Sequence, residues 1–309
     1  SKKDGGVRPI AVGCVLRRLV AKVACRVVKD AVVAKLAPSQ LGFGVKQGAE
    51  AAAHAARSVL ANLETGSGLL KIDFSNAFNT LHREEMLKSI YNQLPELYPF
   101  IYSVYFGQSF LRFGQFTLFS DEGPQQGDPL GPLLYCVTAM SLIRRLKAQC
   151  SIWYMDDGTL ADNVDVLLAD FKCLVTEGKK LGLHINVSKC EIITDDCDVI
   201  RKFDAAAPGI KHVCTSSAVL LGAPIGGQSS VEEVLASKLQ DLHSLSKRLS
   251  LLNSHDAFFL LKNCFLIPKL NYTLRSAPCF NHQLLKQYDG VIRSTLQSIL
   301  NVSLNDYTW

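Results

Sequence analysis

The sequence predicts an α+β fold, and three observations predict it. Two short apolar runs, Leu69-Leu70-Lys71-Ile72-Asp73-Phe74 and Ile152-Trp153-Tyr154-Met155-Asp156-Asp157, have the length and composition of strands, and each reaches aspartate near its end. Apolar residues between and around them recur at helical spacing. Near residue 229 this mixture gives way to helical periodicity that runs to residue 309. With 309 residues, 48% of them hydrophobic, the chain can bury a sizeable core and is long enough for two or three packed subdomains.

Taken in order, residues 1–12 are basic and glycine-bearing and end in the strand-like Arg8-Pro9-Ile10-Ala11-Val12. Val15, Leu16, Leu19, Val20, Val23, Val27 and Val28 then mark the apolar face of a helix that runs towards Pro38, with Arg17, Arg18, Lys22, Arg26 and Lys29 as its solvated face. A glycine-punctuated loop, Leu41 to Gly48, leads into an alanine-rich helix from Ala49 to Leu63. After the first Asp-bearing strand, residues 83–106 form helical segments interrupted at Pro95 and Pro99, and Phe110 to Phe119 alternate as a hairpin does. A helix follows from Pro132 to Lys147, then the Asp-Asp hairpin, for which Gly158 is the residue expected to permit a tight turn. Val164, Leu167, Leu168, Phe171, Leu174 and Val175 share one face of the next helix, which Gly182 stops. Short strands are expected at His184 to Val187, Cys190 to Thr194 and Ala218 to Leu221, before the helical tail.

Composition narrows the classes. A net charge of +5 is compatible with a polyanionic partner without requiring one. No run of about 18 uncharged apolar residues predicts a membrane span, and no signal-peptide pattern opens the chain. The ten cysteines include no Cys-x-x-Cys pair, and Cys190, Cys197, His212 and Cys214 match no zinc spacing, so the cysteines are expected to be buried free thiols of an intracellular, reducing compartment. The chain opens at Ser1 inside what looks like a working segment, so further residues are expected upstream.

The chemistry is concentrated in carboxylates. Successive strand side chains alternate faces, so Asp156 and Asp157 serve one site only where a turn breaks the alternation. Two adjacent strands would bring Asp73 beside them. Three carboxylates at one point repel unless divalent cations neutralise them, and hard oxygen donors with room for water suit Mg²⁺.

Six ordered motifs then resemble the reverse transcriptases, and among them the type encoded by non-LTR retrotransposons. Lys2-Lys3-Asp4-Gly5-Gly6-Val7-Arg8-Pro9-Ile10 resembles the strand pair of the fingers, where Lys2 and Arg8 would bind the incoming triphosphate. Lys71-Ile72-Asp73-Phe74-Ser75-Asn76-Ala77-Phe78 is similar to the motif whose Asp binds both metal ions. The following carbonyl, here that of Phe74, completes one shell, and the aromatic at Phe78 packs under the sugar and excludes a ribose 2′-hydroxyl. Gly123-Pro124-Gln125-Gln126-Gly127-Asp128-Pro129-Leu130 resembles the loop beneath the base pair, which implicates Gln126 and Gly127 in nucleotide binding and leaves Asp128 as a helix cap; Gly131 departs from the family's usual Ser. Tyr154-Met155-Asp156-Asp157 matches the motif that supplies the remaining metal ligands. Gly182 to Lys189 resembles the segment whose lysine protonates or stabilises the pyrophosphate, and Leu220-Leu221-Gly222-Ala223 resembles the primer-grip turn.

The resemblance implies a right-hand polymerase with an antiparallel palm sheet: fingers over 1–68, palm over 69–228 with interleaved helical segments, and a thumb-like helical region over 229–309. It implies RNA-directed DNA synthesis with two Mg²⁺ ions, Mn²⁺ being a possible substitute, on an RNA template with a DNA primer and deoxynucleoside triphosphates. Asp73, Asp156, Asp157 and Lys189 carry the chemistry on this reading. The alternatives are a group II intron-type reverse transcriptase and a non-catalytic RNA-binding remnant of a retroelement. An RNA-synthesising polymerase is disfavoured by Phe78, because such enzymes usually place an acidic residue there.

Overall fold

The computed structural model describes residues 10–307 and 309. It is α+β, as predicted. The strands are β1 (Ser67–Ile72), β2 (Ser109–Phe113), β3 (Phe116–Ser120), β4 (Cys150–Tyr154), β5 (Asp157–Asn163), β6 (Glu191–Ile193), β7 (Lys211–Val213), β8 (Val219–Leu220) and β9 (Ala223–Pro224). The longer helices are α1 (Val15–Leu36), α2 (Gly48–Ala61), α3 (Arg83–Gln93), α4 (Tyr98–Tyr105), α5 (Gly131–Ile143), α6 (Val164–Lys180), α7 (Cys197–Ala206), α8 (Gln228–Leu249), α9 (Ile267–Ser276) and α10 (Gln283–Leu300). The described residues form two compact units, one within Ser1–Ala52 and Leu63–Val213, the other Ala53–Asn62 with Cys214–Trp309.

The first unit is built on a five-stranded sheet in the order β4-β5-β1-β6-β7, antiparallel except for the parallel β6–β7 pair. Leu69 and Leu70 are successive, so they face opposite sides of β1, and both are 0% exposed. The centre of the sheet is therefore covered on both faces. Helix α5 is buried along almost its whole length and forms the middle of the core with Leu70, Ile72, Trp153 and Leu160.

Three expectations need correction. Helix α1 forms, but Val15, Leu16, Leu19 and Val27 are 57–78% exposed, and the packed face is Ala21, Val28, Val32 and Leu36. From the same helix the Arg17 guanidinium reaches Asp128 at 2.6 Å. Pro99 does not interrupt a helix; it lies in the first turn of α4, where the missing N–H has no helical partner to lose. All ten cysteines are unpaired, yet only Cys136, Cys190 and Cys279 are buried, and Cys14, Cys197, Cys214 and Cys264 are exposed.

In the second unit the β8–β9 hairpin turns through Leu221 and Gly222, whose φ values are 49° and 78°. Its turn is held by the Tyr272 hydroxyl, which donates to the Leu221 carbonyl at 3.0 Å, and by Arg57, which donates to the Pro224 carbonyl at 2.6 Å. Helices α8 and α10 pack on one another around Val231, Leu235, Leu242, Tyr288 and Ile292, the apolar stripes that the periodicity marks. No helix among the described residues is long and apolar enough to cross a membrane.

Candidate active site

The site grows out of strand register. The β1–β5 ladder ends with Ile72 opposite Gly158, so Asp73 follows β1 at the end of the sheet where Asp157 begins β5. Tyr154 pairs with Asp157 across β4 and β5, leaving Met155 and Asp156 as a two-residue turn. Met155 takes the left-handed conformation at φ 55°, and this breaks the alternation that would otherwise send Asp156 and Asp157 to strictly opposite faces. Gly158 has a different task from the one expected of it. A Cβ there would fall 2.5 Å from the Trp153 ring, so the missing side chain makes room for a buried indole on the cross-strand partner.

Beyond β1 the chain is tied to the segment that precedes β6. The Asp73 carbonyl accepts from the Asn186 N–H at 2.9 Å, the Ser75 N–H donates to the His184 carbonyl at 2.7 Å, and Phe74 bridges Ile185. His184 to Val187, expected as a strand, is thus reduced to an isolated bridge followed by a short 3₁₀ turn, Val187–Lys189. The Phe74 ring stacks on Trp153 with centroids 6.2 Å apart, joining the two Asp-bearing strands beneath the site.

A cavity of about 760 Å³ opens here, and Asp73, Phe74, Phe78, Gln126, Gly127, Asp156 and Lys189 are all among the residues that line it. Asp157 is exposed at the head of β5 and is not among them. Lys2 and Arg8 lie outside the described residues. Phe78 is half-buried and stacks on Tyr135, with centroids 4.6 Å apart and planes 19° from parallel. Tyr135 is 0% exposed, and its hydroxyl has no hydrogen-bond partner among the described residues.

The glycine-bearing loop forms another wall. Gly127 has φ 114°, and a Cβ on it would meet the Ala11 carbonyl at 2.7 Å. The Gln126 carbonyl accepts from the Ala11 N–H at 2.7 Å. Asp128 is not the cap of α5, whose N-cap is Leu130; it lies in the turn before the helix, where it accepts from the Leu130 N–H at 3.0 Å, from Arg17 at 2.6 Å and from the Tyr105 hydroxyl at 2.7 Å. The loop is therefore pinned to α1 by a largely buried ion pair.

Negative charge at the site is felt by its neighbours. Burial, then Asp156 and Asp157, hold Tyr135 well above the usual phenol range, and burial followed by Asp156 raises the Cys136 thiol. Burial is the main cause that pushes Cys190 up to about 11; the hydrogen bond with the Asp73 backbone opposes it, and the charges of Asp73 and Glu191 add to it.

Among the described residues no three His, Cys, Asp or Glu side chains meet as a metal cluster. The donors present still fit Mg²⁺, which keeps several waters and is held by one or two carboxylates plus substrate phosphates, not by an all-protein cage. Asp73 and Asp156 supply that pair in one cavity, with Asp157 and the Phe74 carbonyl adjoining.

The features missed from sequence are Gln40, Tyr135 and the Arg17–Asp128 pair. Gln40 had one available signal, a polar residue directly before the glycine-punctuated loop, but nothing local marks it as buried.

A family model described as reverse transcriptase (RNA-dependent DNA polymerase) matches residues 1–234. The chain is 28% identical over 204 residues to the retrotransposable element SLACS 132 kDa protein of Trypanosoma brucei gambiense, an alignment covering 62% of this chain and 17% of that protein. It thus spans about a sixth of the length of that curated relative. Among solved structures, apo telomerase from Candida tropicalis aligns at 12% identity and a TM-score of 0.48, over 94% of this chain and 50% of that one. Telomerase from Candida albicans in complex with a TWJ fragment of telomeric RNA aligns at 11% identity and 0.43, over 93% and 53%.

Proposed function

Because the chain belongs to the reverse transcriptase (RNA-dependent DNA polymerase) family, we propose that it extends a DNA primer with deoxynucleotides on an RNA template, at the cavity lined by Asp73 and Asp156. The observation that carries this reading is the convergence of those two carboxylates, from neighbouring hydrogen-bonded strands, on a cavity also walled by Phe78 and the Gly127 loop. The similarity to a retrotransposable element protein supports a retroelement source, and the motif set favours the non-LTR type. The division into fingers over 1–68, palm over 69–228 and thumb over 229–309 belongs to the same proposal. Ten unpaired cysteines support an intracellular, reducing setting.

Asp73, Asp156 and Asp157 would hold two Mg²⁺ ions, or Mn²⁺ in their place, with the Phe74 carbonyl completing one shell. When bound, such ions activate the primer 3′-hydroxyl and neutralise charge on the triphosphate. The protein's own share is positioning. Gly127 lets the backbone approach the base pair closely, and Gln126 lies at the same wall. Phe78, backed by Tyr135, fills the space a ribose 2′-hydroxyl would need. Lys189, exposed at the rim of the cavity, would stabilise the departing pyrophosphate by its charge or give it a proton. Lys2 and Arg8 would bind the triphosphate from the N-terminal segment.

The test is extension of an oligo-deoxythymidylate primer on polyadenylate RNA with Mg²⁺ and deoxythymidine triphosphate. Extension that requires the RNA template supports the reading. Template-dependent incorporation of ribonucleotides in preference to deoxynucleotides refutes it.

A further inference from the structure

Gln40 is 0% exposed, and both polar atoms of its side chain are hydrogen-bonded. Its Oε1 accepts from the Met155 N–H at 2.8 Å and from the Gly42 N–H at 2.9 Å, and its Nε2 donates to the Met155 carbonyl at 3.0 Å. Met155 immediately precedes Asp156, and its backbone lies beyond the last rung of the β4–β5 ladder, which is Tyr154–Asp157. A turn peptide there has no strand partner and would ordinarily hydrogen-bond to water. The Gln40 amide takes the place of a neighbouring strand's peptide, donating and accepting as one would.

The flanking backbone completes the clamp. The Trp153 N–H donates to the Ser39 carbonyl at 2.7 Å and the Leu41 N–H donates to the Trp153 carbonyl at 2.7 Å, so residues 39–41 run alongside β4. Gly42 then passes so close that a Cβ on it would fall 2.3 Å from the Met155 nitrogen. Met155 itself has φ 55°, a conformation an unbranched L-residue keeps only when its surroundings over-determine it.

We propose that Gln40 is a positioning residue for the catalytic turn: its amide, with the close approach of Gly42, holds the Met155 peptide and through it fixes where Asp156 presents its carboxylate. The inference rests on the reading of Asp156 as a catalytic carboxylate. Gln40 touches neither substrate nor reacting atoms, so its loss should misplace Asp156 while leaving nucleotide and duplex contacts intact.

The test compares Gln40→Met, which keeps length and apolar volume but removes all three hydrogen bonds, with Gly42→Ala, which pushes on the Met155 nitrogen with Gln40 intact. Asp156→Asn is run alongside. Thermal unfolding, kcat, KM for deoxynucleotide and Kd for primer-template duplex are measured for each. Both variants should fold and lose roughly 10- to 100-fold in kcat, the scale of a misplacement of about 1 Å, with KM and Kd within about twofold of wild type. A folded Gln40→Met with kcat within about twofold of wild type overturns the proposal. So does a parallel loss of kcat and duplex affinity, which marks general structural support. If Gln40→Met does not fold, Gly42→Ala decides by the same criteria, and failure of both to fold makes the loop a folding element and overturns the proposal as well. An active Asp156→Asn instead removes the reading of the site, a result separate from any of these.

Discussion

Replacing Phe78 by alanine should make the protein tolerate ribonucleotides. The ring is half-buried, with one face stacked 4.6 Å from the Tyr135 ring, and it lines the cavity. Tyr135 is fully buried, so Phe78 cannot retreat without moving the core. Forcing an extra hydroxyl against such a backed wall resembles overpacking, which costs about 1–3 kcal/mol. At about 1.4 kcal/mol per tenfold, this corresponds to roughly 5- to 150-fold in relative kcat/KM, and Phe78→Ala should remove most of it. The same substitution forfeits an aromatic pair worth about 0.5–1.5 kcal/mol and part of a buried side chain, so stability should fall by about 2 kcal/mol. The assay is kcat/KM for deoxyadenosine and adenosine triphosphate on one RNA template, in wild type and mutant. Deoxynucleotide incorporation should fall less than discrimination. A ratio that stays within about twofold of wild type, or a wild type that already prefers ribonucleotides, refutes the steric argument.

Tyr135→Phe should leave stability unchanged or raise it by up to about 2 kcal/mol in urea unfolding, because the hydroxyl it removes is buried without a partner among the described residues; a loss above about 1 kcal/mol would mean the hydroxyl is satisfied. Arg17→Ala should cost about 3 kcal/mol in the same measurement, since Asp128 keeps only 4% side-chain exposure and would lose its countercharge; a cost below about 1 kcal/mol would make the pair a surface one. With a thiol reagent near pH 8 the exposed Cys14, Cys197, Cys214 and Cys264 should react first, while buried Cys136 and Cys190, whose thiols are pushed up, should react only on unfolding, as peptide mapping of the labelled cysteines would reveal.

Much of this arrangement was legible because it depends on local pattern. Two apolar runs reaching aspartate are enough to predict neighbouring strands, and their pairing brings Asp73 to the end of the sheet where the Asp156-Asp157 turn lies. Helix α6 was readable from its one-sided apolar spacing and from Gly182, which takes φ 80° just past its end. The α1 packing face was only partly readable, because helical periodicity marks an apolar stripe without saying which stripe meets the core; Val28 of the expected stripe is buried, but with Ala21, Val32 and Leu36 in place of Val15, Leu16, Leu19 and Val27. The turn was assigned to the nearest glycine, whereas Met155 adopts the left-handed conformation and Gly158 serves a ring. Gln40 escaped for the same reason in a stronger form. Its partner Met155 lies 115 residues away, and a hydrogen bond across that separation leaves no periodic trace.

Single-nucleotide incorporation by Asp73→Asn and Asp156→Asn, measured beside their affinity for an RNA–DNA primer-template, tests the central claim most directly. Duplex affinity comes mainly from phosphate contacts away from these carboxylates and should stay within about twofold. Incorporation by each mutant should fall by at least roughly 100-fold, on the scale of losing one preorganised electrostatic group. Incorporation by either mutant at near the wild-type rate, or a folded wild-type protein that binds the duplex and adds nothing with Mg²⁺ or Mn²⁺, would contradict the assignment of this cavity as a polymerase active site.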